Sequence, residues 1–187
     1  MRKLILPLLI LSALSACKKE STKTEDSAVK NDSVAAVSTS STPTTPVNLK
    51  EYSIAQTAEY LKNKDNDTLY VTNFFATWCG PCMAEIPHFK EKIKELKGQP
   101  VKFTFIDIDE KEDWETKVKD FAATNNLQDH IILLDNKKLD QDFFKNNFEK
   151  WDGSGIPYTI MKKGKRTEET LGSMSAEMLD QKLASFK

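Results

Sequence analysis

Cys79 and Cys82 are separated by Gly80 and Pro81 and preceded by Trp78, giving the run Trp-Cys-Gly-Pro-Cys. A thiol is a nucleophile only as its thiolate, and the unpaired N–H groups and dipole of a helix N-terminus stabilise that anion. The residues that follow, to about Leu96, read as a helix with Gly98 as its stop, so Cys79 sits where that field is strongest. Pro81 is tolerated there, because an N–H in the first turn has no helical partner, and it presets the turn. Cys82 lies about one helical turn beyond Cys79 and can reach it to close a disulfide. One thiol is expected to attack and the other to resolve, chemistry that needs no cofactor.

The same pair would also serve as half of a zinc site. Further ligands are scarce: Cys17 lies far upstream, and His88 and His130 are the only histidines. His88 falls about 120° around the helix from Cys82, on a face with Lys92 and Glu95, and reads as solvated surface, so no metal is expected. A purely structural disulfide is disfavoured, because so short a loop constrains the unfolded chain little. Glu85 is the remaining candidate. Cys82, Ile86, Phe89, Ile93 and Leu96 form the apolar stripe of the helix, with Glu85 at its edge, about 60° from Cys82. A carboxylate shielded there is expected to have a raised pKa and to raise those of nearby thiols, tuning proton transfer to and from Cys82. A rim glutamate reaching water is the alternative.

These residues need a scaffold, and the flanking pattern supplies one. Leu69 to Ala76 is β-branched and aromatic, as in a buried central strand, and Val101 to Ile108 is a second strand beyond the cysteine helix. The two form a β-α-β unit with parallel pairing. Ser53 to Lys62 reads as an amphipathic helix with Ser53 as N-cap. Asp113 to Asn125 and Leu139 to Asn147 read as helices, and Ile131 to Leu134 as a short strand. Tyr158 to Met161 and Thr167 to Leu171 flank Lys162–Arg166 as a hairpin, and Ser175 to Phe186 closes the chain as a helix capped by Ser175. Mixed strands with helices on both faces make an α/β sandwich of three layers.

Charge is nearly balanced, 27 basic against 28 acidic residues, with no large block of either sign, so nucleic-acid binding is not indicated. No Phe, Tyr or Trp precedes Tyr52, so the first quarter of the chain cannot build a core and one domain, 49–187, is expected. Arg2 and Lys3 are followed by an apolar run from Leu4 to Leu14 and then by Ser15 and Ala16. That run would rise only about 16 Å as a helix, too short to cross a bilayer, and has the layout of a secretory signal over residues 1–16. Leu14-Ser15-Ala16-Cys17 resembles the lipobox of bacterial lipoproteins, which implies that Cys17 is lipidated and becomes the first mature residue. Residues 17–48 then form a flexible, lipid-anchored linker, rich in Ser and Thr, whose r.m.s. span is about 30 Å.

The run from Trp78 to Cys82 after a buried strand, with Pro87 beyond it, resembles thioredoxin, and the resemblance extends over most of residues 52–187. It implies a thioredoxin-like fold in which a cis-proline faces the cysteines, and Ile156-Pro157-Tyr158-Thr159 matches that element. Asn73 stands where ordinary thioredoxins carry a buried Asp, and Cys82-Met83-Ala84-Glu85-Ile86-Pro87 is similar to the membrane-tethered TlpA/ResA-type proteins. The resemblance implies a monomeric thiol-disulfide oxidoreductase of the bacterial cell envelope, lipid-anchored and facing the periplasm. Cys79 would attack, Cys82 would resolve with help from Glu85, and Trp78, Gly80, Pro81, Ile156 and Pro157 would meet the substrate. Gly-Pro between the cysteines favours the reductant of disulfide-containing envelope proteins, apocytochrome c being a family substrate, with a membrane thiol relay as electron donor. A thiol peroxidase and a non-catalytic binding module on the same fold are the alternatives.

Overall fold

A computed structural model describes residues 47–187. The expected signal peptide, Cys17 and all but the last two residues of the expected linker lie outside the described residues. The elements in chain order are β1 (Lys50–Glu51), α1 (Ile54–Leu61), β2 (Leu69–Phe75), α2 (Gly80–Glu95) and β3 (Val101–Asp107). A 3-10 turn (Lys111–Asp113) and a π turn (Trp114–Val118) lead into α3 (Lys119–Asn125). Then come β4 (Ile131–Leu133), α4 (Gln141–Asn147), β5 (Tyr158–Lys163), β6 (Arg166–Leu171) and α5 (Ala176–Ala184).

The strands form one sheet in the order β1-β4-β3-β2-β5-β6. β1, β4, β3 and β2 run parallel, while β5 is antiparallel to β2 and β6 to β5. Alternation along β3 decides which helix covers which face. Phe103 and Phe105 point to one face and meet Phe89 of α2, at 6.4 and 5.7 Å between ring centroids. Thr104 points to the other and its hydroxyl is hydrogen-bonded to that of Tyr60 on α1, at 2.5 Å. The result is a thioredoxin-like three-layer α/β sandwich with a mixed sheet.

Two local expectations change, and one short strand is added. The helix expected from Asp113 begins as the two irregular turns and becomes regular only at Lys119, with Trp114 and Val118 turned inward. The hairpin loop expected over Lys162–Arg166 shrinks to Gly164 and Lys165, because β5 reaches Lys163 and pairs there with Arg166. β1, only two residues long, lacks a period for any pattern to detect; it pairs in parallel with β4, and the Tyr52 N–H just beyond it donates to the Leu133 carbonyl at 2.9 Å.

An aromatic cluster lies behind the segment that enters β5. Trp151 stacks on Tyr158 at 4.5 Å and packs against Phe74 at 4.7 Å, with Phe148 closing the group. Its indole N–H donates to the Gly155 carbonyl at 2.8 Å, tying the loop to the core. Gly153 is obligatory in that loop. Its φ is +86°, and a Cβ there would fall 2.6 Å from Phe144 Cε2.

Candidate active site

Cys79 is the N-cap of α2, just past the carboxyl end of β2. Its sulfur accepts the Cys82 N–H at 3.2 Å, and its carbonyl accepts the Met83 N–H at 3.0 Å. The two sulfurs are bonded to each other across a Cα–Cα distance of 5.2 Å. Cys82 is completely buried and Cys79 is 5% exposed, so of the pair only Cys79 reaches solvent. Trp78 is 63% exposed beside it, and Gly80 and Pro81 are exposed as well.

The opposite wall is the Ile156–Pro157 peptide, which is cis. The Ile156 carbonyl oxygen lies 3.7 Å from Cys79 Sγ, and Pro157 is buried behind it. The Gly172 N–H donates to the Pro157 carbonyl at 2.9 Å, holding the wall to the chain after β6. Residues 77 positions apart thus meet at one sulfur. Of the expected site residues Cys79 meets Ile156 directly, with Trp78, Gly80, Pro81 and Cys82 adjoining the one and Pro157 the other along the chain.

Glu85 is buried, at 1% exposure, so the reading of it as a rim glutamate is set aside. Its Oε1 accepts from Asn73 Nδ2 at 2.8 Å and its Oε2 from the Met174 N–H at 2.8 Å. Asn73 also donates to Thr159 Oγ1 at 2.9 Å, so one amide links β2, α2 and β5. Burial pushes the Glu85 carboxyl up to about 7, against the two hydrogen bonds that favour its charged form. It therefore titrates near neutrality, three residues from Cys82 on the same helix. In Glu85→Gln, the pH profile of disulfide exchange is expected to lose its step near pH 7, and resolution by Cys82 to slow about tenfold above it. A profile that keeps the step would mean that Glu85 is not the titrating group.

Two buried carboxylates had no role assigned from sequence. Asp109 accepts the Thr77 N–H on Oδ2 at 2.6 Å and the Thr77 hydroxyl on Oδ1 at 2.8 Å. Asp107, the last residue of β3, has no exposure, and burial with Asp109 and Asp113 nearby pushes its carboxyl up to about 9. Strand alternation held the signal. Asp107 falls on the same covered face as Phe103 and Phe105, where a charge is unexpected. Among the described residues, no group of three or more His, Cys, Asp or Glu side chains gathers as a metal site, and no helix is long and apolar enough to cross a membrane.

Comparison with known proteins gives the same fold. The thioredoxin family model matches residues 51–121, which stops short of Pro157. Thioredoxin-like protein YneN of Bacillus subtilis is 29% identical over 111 residues, 59% of this chain and 61% of that protein. Thiol-disulfide oxidoreductase ResA of Bacillus cereus is 27% identical over 110 residues, 58% of this chain and 57% of that protein. The chain thus spans about three-fifths of the length of these curated relatives. A crystal structure of a thiol:disulfide interchange protein, a thioredoxin family protein from Chlorobium tepidum, superposes with a TM-score of 0.52. It is 22% identical, covering 68% of this chain and 83% of that one. The described residues form a thioredoxin-like domain, and the likeness to ResA matches the TlpA/ResA type indicated by Asn73, Glu85 and Pro87.

Proposed function

We propose that this chain is a thiol-disulfide oxidoreductase of the bacterial cell envelope that reduces disulfides in other proteins. The observation that carries the reading is a bonded cysteine pair at a helix N-terminus in which Cys79 just reaches solvent, at 5% exposure, and Cys82 is sealed beneath it. In the reduced enzyme the Cys79 thiolate attacks one sulfur of a substrate disulfide. That S–S bond breaks, a mixed disulfide forms on Cys79, and the departing substrate thiolate takes a proton. Cys82, its proton taken up by Glu85, then attacks Cys79 Sγ, and the second substrate thiolate leaves. The substrate has gained two electrons, and the enzyme is left with the Cys79–Cys82 disulfide. A dithiol donor must reduce it again; by resemblance this is a membrane thiol relay. Trp78 and the Gly80-Pro81 turn on one side, and Ile156-Pro157 on the other, form the groove that receives the substrate chain. Lipidation at Cys17 after removal of residues 1–16 would keep the domain near that relay, on a linker ending at residue 48.

Cys82→Ser tests the reading, because it leaves the attacking thiol and removes the resolving one. The full chain carrying this change is expected to accumulate mixed disulfides with envelope proteins, linked through Cys79 and released by dithiothreitol. Envelope extracts that give no such adducts, from a variant whose Cys79 reacts normally with a small disulfide, would count against protein-disulfide reduction.

A further inference from the structure

We propose that Asp107 and Asp109 hold one proton between them and act as a positioning pair for the loop that carries Cys79. Asp109 is fully buried, and each of its oxygens is engaged separately by Thr77, one by the backbone N–H and one by the hydroxyl. Thr77 lies two residues before Cys79, so this clamp fixes the segment between the end of β2 and the nucleophile. An acid that accepts on both oxygens works best ionised, since a protonated carboxyl turns one acceptor into a donor. Asp107 complements it. Its Oδ1 accepts the Asp109 N–H at 3.3 Å, while its Oδ2 is buried without a donor. Two full negative charges this close in a dry interior repel, so one of the two acids keeps its proton. A proton on Asp107 lets that side chain donate to Asp109, leaves the Thr77 clamp charged and gives the orphaned oxygen a role.

The surrounding charges favour the same assignment. Asp113, in the turn after β3, adds negative field at Asp107. Lys117 feels Asp109 but is hydrogen-bonded to Asp113 at 2.9 Å, so its charge is largely met there. Ionising Asp107 would place a second charge against the acceptor that holds Thr77, and would loosen the approach to Cys79 from beneath.

The effect on exchange rests on the function proposed above; the proton and the clamp do not. The test uses the full chain in its oxidised form, where Cys79 and Cys82 do not titrate, followed by carboxyl-carbon and amide NMR from pH 5 to 11. The Asp107 carboxyl carbon is expected to keep the shift of a protonated acid through neutral pH. The Thr77 amide is expected to move with the midpoint of Asp107. Asp107→Asn, which carries a fixed donor in place of the proton, is expected to abolish that step. Asp109→Ala is expected to slow disulfide exchange with dithiothreitol about tenfold, with partial rescue in Asp109→Asn, which keeps one acceptor. An ionised Asp107 carbon at pH 7, or a Thr77 step that survives in Asp107→Asn, overturns the shared proton. An unchanged exchange rate in Asp109→Ala overturns the positioning role. A wild-type protein with no exchange at all would instead overturn the proposed function, with the carbon shifts still deciding the pair.

Discussion

Replacing Cys79 with serine is expected to lower insulin-disulfide reduction by at least about a thousandfold, because the step removed is the only entry into the reaction. A serine hydroxyl at the same N-cap is not ionised by the helix field, so the turn keeps its hydrogen bond and loses its nucleophile. Cys82 cannot substitute, since its sulfur is completely buried. The variant should remain folded, because serine is itself a strong N-cap and the pair closes only a short loop. Retention of more than about a tenth of the wild-type rate, in a variant with an unchanged circular dichroism spectrum, would remove Cys79 from the mechanism.

The second large effect is on stability. Glu85 is pushed up to about 7 and Asp107 to about 9, both above the values these side chains have in an unfolded chain. Between the unfolded and folded values the folded state binds more protons, so stability falls as pH rises. The contribution is fully present below about pH 4. That of Glu85 is lost as pH rises through about 7, and that of Asp107 through about 9. Urea unfolding of the oxidised protein is expected to lose several kcal/mol between pH 4.5 and pH 9. Glu85→Gln and Asp107→Asn should each flatten the curve and raise stability at the alkaline end. A flat wild-type curve would show that neither acid is held protonated by the fold.

What could be read from the chain beforehand divides by distance. The cysteine turn, the N-cap at Cys79 and the crossover between β2 and β3 are written in neighbouring residues, where period and composition suffice. The burial of Glu85 is not local. Its donors are Asn73, 12 residues before it, and Met174, 89 residues after it, and a helix-edge position is compatible with water or core until both are placed. Asp109 failed for the same reason. Its partner Thr77 is 32 residues away, and an Asp just past a strand ordinarily reads as the start of a loop. Asp107 was accessible by alternation with Phe103 and Phe105, but the adjoining acidic run at Asp109-Glu110 masked it.

The wide separation of the site's parts also sets an order on folding. The helix carrying Cys79 and Cys82 is complete by Glu95, whereas the Ile156 carbonyl and the Met174 N–H belong to the last third of the chain. They reach the cysteines only when β5 inserts against β2, a contact closing a loop of more than 80 residues, and such contacts form late. During synthesis or refolding the dithiol therefore exists for a time as an open helix end, with neither its facing wall nor the donors that bury Glu85. Maturation of the site is the docking of the C-terminal hairpin, and a chain interrupted before Ile156 would carry both cysteines without the wall that faces Cys79.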